Sequence, residues 1–90
     1  MVRVLFFAGI REITRAKETK VAAGSVEELL RELAARYGPK FQSAVYGPDG
    51  LSREAILILN GRHLAHLPDG LKTKLVPGDT VSIFPLVAGG

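Results

Sequence analysis

The sequence contains no cysteine. A disulfide framework, a thiolate nucleophile and a thiolate metal site are therefore excluded. Asparagine and glutamine occur once each, as Asn60 and Gln42, a depletion of thermolabile residues that hints at a hot-living source. Blocks of like charge are missing as well. Twelve Lys and Arg stand against nine Asp and Glu, spread along the chain for a net charge of +3, so there is no basic tail and nothing that asks for nucleic acid. Long apolar runs are also lacking. Val4 to Ile10, counting Gly9, is followed at once by Arg11 and Glu12 and falls far below the roughly 20 residues that span a bilayer. The reading is no signal peptide, no membrane span and a cytoplasmic location. Ninety residues make one domain, and so small a chain buries only about 60–65% of its unfolded surface. That leaves one modest core and no deep internal active site. No Ser-His-Asp set, phosphate loop or paired carboxylate at meaningful spacing is visible.

What is present is ordered. Hydrophobic residues are 47% and charged residues 23% of the chain, the balance of a folded protein rather than a disordered one. Val2 to Ala8 (VRVLFFA) reads as a central strand, with Val4 and Phe6 on one face and Leu5 and Phe7 on the other. Gly9 to Arg15 reads as a turn, and Ala16 to Ala22 as a polar edge strand. Ser25 followed by Glu28 forms a capping box. Val26, Leu29, Leu30, Leu33, Ala34 and Tyr37 then draw one helical stripe, and Gly38-Pro39 ends it. Phe41 to Leu51 reads as an irregular or short-helical connection. Ala55 to Leu59 (AILIL) reads as a buried strand, Asn60-Gly61 as a hairpin turn, and Arg62 to His66 as the return strand. Thr80 to Phe84 is the last strand, with Val81 and Ile83 on one face and Ser82 and Phe84 on the other. One main helix packed on one face of a mixed sheet of about five strands is an α+β layer architecture.

The last strand is followed by Pro85, Leu86, Val87, Ala88, Gly89 and Gly90. These residues reach about 20 Å if extended. Pro85 lacks an N–H and is expected to end the pairing, so the domain is read as residues 1–84 and the tail as residues 85–90. An apolar terminus is unusual for a domain whose ends are normally polar and frayed. Glycine has no side chain, so another protein's backbone can close around Gly89 and Gly90 and reach an unhindered terminal carboxylate. Composition alone makes a final glycine pair weak evidence; the strand, proline and apolar spacer before it give it weight.

If the helix covers Val4, Phe6, Val81 and Ile83, then Leu5, Phe7 and Phe84 form an exposed apolar patch of the kind that marks an interface. The competing expectation is that the connection 41–51 covers them. His63 and His66, three apart on a strand, would lie on opposite faces, and no metal site is expected. Arg62, Lys72 and Lys74 are candidates for a basic edge that steers an acidic partner.

FFAGIRE (Phe6 to Glu12), LNG (Leu59 to Gly61) and LVPGDTVSIFPLVAGG (Leu75 to Gly90), with a single helix between them, resemble the small subunit of molybdopterin synthase. That family has the ubiquitin-like β-grasp fold and carries sulfur. The resemblance covers essentially the whole chain, and Leu86 stands where the family usually has a second proline. It implies that a ubiquitin-activating-like enzyme adenylates the Gly90 carboxylate with ATP. A sulfur donor protein then converts it to a thiocarboxylate. The tail, with Gly89 as the slender neighbour, enters the large synthase subunit and delivers sulfur for the dithiolene of molybdopterin. Leu5, Phe7, Phe84, Pro85, Leu86, Val87 and Ala88 would contact partners. The chain itself would bind no cofactor and no metal. Small archaeal modifiers, conjugated to lysines or serving tRNA thiolation, share the resemblance. A β-grasp module binding RNA or a protein surface is the alternative that needs no free terminus.

Overall fold

The computed structural model describes residues 1–48, 50–52 and 54–86. Among the described residues, seven strands and three α-helices follow the order β1 (Val2–Phe6), α1 (Ala8–Thr14), β2 (Glu18–Val21), α2 (Val26–Tyr37), α3 (Pro39–Val45), β3 (Tyr46–Gly47), β4 (Gly50–Leu51), β5 (Ala55–Leu59), β6 (Arg62–His63) and β7 (Thr80–Pro85), with short 3-10 turns at Leu64–His66 and Gly70–Lys72. The main sheet has the order β2-β1-β7-β5-β6. Only its central pair, β1 with β7, is parallel; β2 pairs antiparallel with β1, and β5 with both β7 and β6. This is the mixed sheet of the β-grasp fold. β3 and β4 form a separate small hairpin.

Alternation along the two central strands decides which face is covered. Val2, Val4 and Phe6 of β1, Val81 and Ile83 of β7, and Ala55 and Leu57 of β5 are buried. Against them pack Val26, Leu29, Leu30 and Leu33 of α2, the stripe that the spacing anticipates, together with Phe41 and Val45 of α3. The ring of Phe6 meets Tyr37 and Phe41 edge-on at 5.6 and 6.3 Å, a geometry that favours aromatic pairs beyond their buried area. The Ser25 hydroxyl accepts from the Glu28 N–H at 3.2 Å. The Glu28 carboxylate reaches back to the N–H of Gly24, one residue before the cap, at 2.8 Å. The Asn60-Gly61 turn has positive φ at both residues, 49° and 87°, as a two-residue hairpin with the sheet's twist requires.

Several local expectations are corrected. Gly9 to Arg15 is not a turn but most of helix α1, which buries Ile10 and Thr14. Seven residues are too few to make a stable helix alone; packing on the core holds it. The connection 41–51 is short-helical as read, taken up by helix α3 to Val45, and it adds the β3–β4 hairpin that was not expected. The return strand after Asn60-Gly61 is only Arg62–His63, after which the chain tightens into the 3-10 turn Leu64–His66. That turn has three residues per revolution. His63 and His66 therefore lie together, with ring centroids 5.6 Å apart, and not on opposite faces. β7 runs through Pro85, which stands opposite Ala55, and the pairing does not stop there: the Leu86 N–H donates to the Glu54 carbonyl at 2.6 Å. Proline removes only its own donor, so pairing resumes one residue later.

Candidate functional site

The uncovered face of the sheet is built by the residues that alternate with the core. In register across it, Leu5 of β1 stands beside Ser82 of β7, which stands opposite Ile58 of β5; Phe84 stands opposite Ile56. Phe7, just past β1, is placed by its N–H donating to the Ile83 carbonyl at 3.1 Å. Its ring stacks on Phe84 with centroids 4.2 Å apart and planes 9° from parallel. Leu5, Phe7, Ile56, Ile58 and Phe84 are each only half-buried, whereas the core residues between them are sealed. α2 and α3 pack on the opposite face, so the segment 41–51 does not cover this one: Phe41 and Val45 are spent in the core.

The structure thus brings together Leu5, Phe7 and Phe84 and adds two residues that the sequence reading missed. AILIL reads as a buried strand, yet only its Ala55 and Leu57 are buried. A signal was available. A single small layer of helices covers one sheet face, so a uniformly apolar strand in such a domain must leave half its side chains outside.

Polar groups frame this face. On the β2 side, Arg3 and Glu18 form an ion pair at 2.9 Å; the hydrogen bond and charge of Arg3 hold the Glu18 carboxyl below its usual range. On the α1 side, Arg11 Nε donates to the Phe6 carbonyl at 3.2 Å, and its guanidinium lies 5.9 Å from the centre of the Phe7 ring. The chain leaves the sheet between α1 and β5. Pro85 is half-buried beside Gly9, whose Cβ position would lie 4.0 Å from Pro85 Cγ. Leu86 is 48% exposed and forms one wall of a groove of about 500 Å³ lined also by Leu51, Ile56, His63, Leu64 and Leu71. Val87, Ala88, Gly89 and Gly90 lie outside the described residues.

Elsewhere the molecule offers little chemistry. Arg62 and Lys74 line one hollow with Asn60 and Asp79, so two of the three expected basic-edge residues share it with an acid. The Nδ1 of His63 accepts from the Ala65 N–H at 3.1 Å and caps the 3-10 turn. Among the described residues no three His, Asp or Glu stand together as metal ligands, and no helix is long and apolar enough to cross a membrane. The arrangement can present an apolar face to another protein.

Comparison with known proteins matches this geometry. The chain is 38% identical over 89 residues to small archaeal modifier protein 3 of Haloferax volcanii, covering 94% of each chain. It is 34% identical to the molybdopterin synthase sulfur carrier subunit of Escherichia coli, over the full length of both. Among solved structures, small archaeal modifier protein 1 of Methanosarcina acetivorans superposes with a TM-score of 0.88 at 28% identity, covering 99% of this chain and 95% of that one. The model of the ThiS family matches residues 4–90, and by that match and these relatives the chain belongs to the ThiS family of ubiquitin-like β-grasp sulfur carriers.

Proposed function

We propose that the protein is the sulfur-carrying small subunit of a molybdopterin synthase and that its reactive group is the Gly90 carboxylate. The observation that carries this reading is the course of β7. Its outward Phe84 sits in the middle of the open apolar face, and the same strand delivers the chain, through Pro85 and Leu86, to the edge of that face. A partner docked on Leu5, Phe7, Ile56, Ile58 and Phe84 would meet Leu86 at the rim of the face, and Val87-Ala88-Gly89-Gly90 follow it in sequence.

The chemistry follows from the carboxylate. It is a poor electrophile until one oxygen becomes part of a leaving group. Attack on the α-phosphate of ATP, within a ubiquitin-activating-like enzyme, forms the acyl adenylate and releases pyrophosphate. Sulfide-level sulfur supplied through a donor protein then attacks the acyl carbon, expels AMP and leaves a thiocarboxylate on Gly90. Gly89 keeps the approach narrow enough for this end to enter the large synthase subunit. There the sulfur passes to the pterin precursor. The carrier supplies position and a docking face; acid, base and ATP belong to its partners.

Intact-mass measurement tests this. After incubation with the activating enzyme, ATP and a sulfur donor, one oxygen should be replaced by sulfur at the C-terminus. Removal of Gly89 and Gly90 should abolish the change while leaving the fold intact. An unaltered mass with an active partner would refute the carrier role. If truncation leaves the protein's cellular activity whole, a binding module that needs no free end is the better description.

The 38% identity to an archaeal modifier favours a second reading, in which the same end is joined to lysines or supplies sulfur to tRNA. Gly-Gly remnants on digested cellular proteins, lost with the truncated chain, would support conjugation; thiolated tRNA missing from a deletion strain would support the other branch.

A further inference from the structure

Most of the arginines that the structure ties down spend their guanidinium within the molecule. Arg3 gives Nε and an Nη to Glu18. Arg31 pairs with Glu27. Arg36 gives Nη1 to the Thr19 hydroxyl and the Lys20 carbonyl. Arg11 is different. Its Nε is bound to the Phe6 carbonyl at 3.2 Å, and its plane is held near the Phe7 ring at 5.9 Å, within the range of a cation–π contact. Phe7 is in turn fixed by its stack on Phe84. The two outer nitrogens take no acceptor among the described residues, and the side chain is exposed. An oriented guanidinium at the rim of an apolar face is the arrangement that dominates protein interfaces: arginine and aromatic anchors are enriched at hot spots, and a pre-ordered fork loses little freedom on binding.

We infer that Arg11 is the fixed cationic anchor of the docking face and receives a carboxylate that the activating partner presents beside an apolar side chain. This rests on the docking reading above. A planar carboxylate matches the two outer nitrogens, and the apolar neighbour matches Phe7. The phosphates of ATP are the poorer match. The five residues after Pro85 reach about 17 Å if extended, so the adenylate would form well away from Arg11 in an extended tail. Arg11 is therefore a specificity and positioning residue that acts on encounter and orientation, not on the chemical step.

The test uses the full chain with the purified activating enzyme, ATP and labelled pyrophosphate, reading exchange as a function of carrier concentration. Arg11→Met should raise the KM for the carrier about 10-fold or more, since one partner of a desolvated charge pair is lost, with kcat little changed. Arg11→Lys should recover only part of the loss, because lysine lacks the fork. The KM of the wild type should climb with added salt, and that of Arg11→Met should climb less steeply. Phe84→Asp serves as the reference. If Phe84→Asp raises KM and Arg11→Met does not, the anchor is refuted and the docking face stands. If Phe84→Asp leaves KM unchanged, the docking face and the anchor fall together. A KM increase in Arg11→Met that keeps the wild-type salt slope assigns Arg11 to holding Phe7 and likewise refutes the anchor. Arg11→Gln carries the same comparison if the methionine variant does not fold.

Discussion

Asp79 ties three parts of the sheet together with one side chain and one carbonyl. Its carboxylate accepts from the Val76 N–H and from the Asn60 amide, both at 2.9 Å, and its carbonyl accepts from the Arg3 N–H at 2.9 Å. The Asn60 amide oxygen then accepts from the Thr80 N–H at 2.8 Å. The Val76 hydrogen bond first, and the Asn60 amide second, hold the Asp79 carboxyl below its ordinary range. The linkage has a definite sign. A carboxyl lowered by folding contributes stability that is fully present above its unfolded value, near 3.9, and disappears as pH falls through the lower folded value. Asp79→Ala should cost about 1 kcal/mol at neutral pH, the net scale of an ordinary hydrogen bond. Denaturant titrations of both proteins should converge as the pH falls through the lowered folded value. A gap that persists in acid would place the effect in the turn backbone. Pro77-Gly78-Asp79 is legible as a turn from sequence alone. Its link to Asn60, 19 residues earlier, is not, because only the closed sheet brings hairpin and turn together.

Helix α1 is the element that local sequence concealed. Gly9 near its start and its length of seven residues both look like a turn, yet Ile10 is buried and the Thr14 hydroxyl donates forward to the Ala16 carbonyl at 3.1 Å. Its end shows the strain of the arrangement. Arg15 adopts the left-handed conformation, φ 58° and ψ 29°, while its N–H closes the helix on the Arg11 carbonyl at 2.7 Å. A residue with a Cβ pays about 1 kcal/mol or more there, and glycine does not. Arg15→Gly should raise the thermal midpoint by about 2–6 °C after the greater freedom of glycine in the unfolded chain is deducted. Scanning calorimetry decides it, and a lower midpoint would mean that the Arg15 side chain contributes packing of its own. By contrast α2 was legible nearly to the residue, because its cap, its stripe and its glycine stop all act within one stretch of chain. β7 was legible except at its end, where the hydrogen bond from Leu86 to Glu54 depends on a strand thirty residues distant in sequence.

At the scale of the whole molecule, the decisive feature is a sheet that, among the described residues, carries helices on one side only. The core needs one face of each central strand; the other face, rich in Leu, Ile and Phe, contributes little to folding and is therefore available to a partner. The order of the strands could not be read from the chain, since a mixed sheet admits several, and with it went the neighbours of Phe84. Once β5 is placed against β7, the run AILIL divides. Leu57 faces α2 and α3 and is 1% exposed; Ile58, the next residue, faces outward in the row of Leu5 and Ser82. Two substitutions at adjacent positions then separate folding from docking. Leu57→Ala leaves a cavity in a sealed core and should cost about 2–5 kcal/mol, while the fraction still folded at low temperature should be thiocarboxylated with the wild-type KM. Ile58→Asp should cost about 1 kcal/mol or less, the span of strand preferences, and yet raise the KM for the activating enzyme, because it sets an ion in the middle of the apolar contact. Melting curves and exchange kinetics on the two proteins measure both quantities. If Ile58→Asp melts as early as Leu57→Ala, the outer face belongs to the folding core. If it melts normally and is activated normally, the partner docks elsewhere.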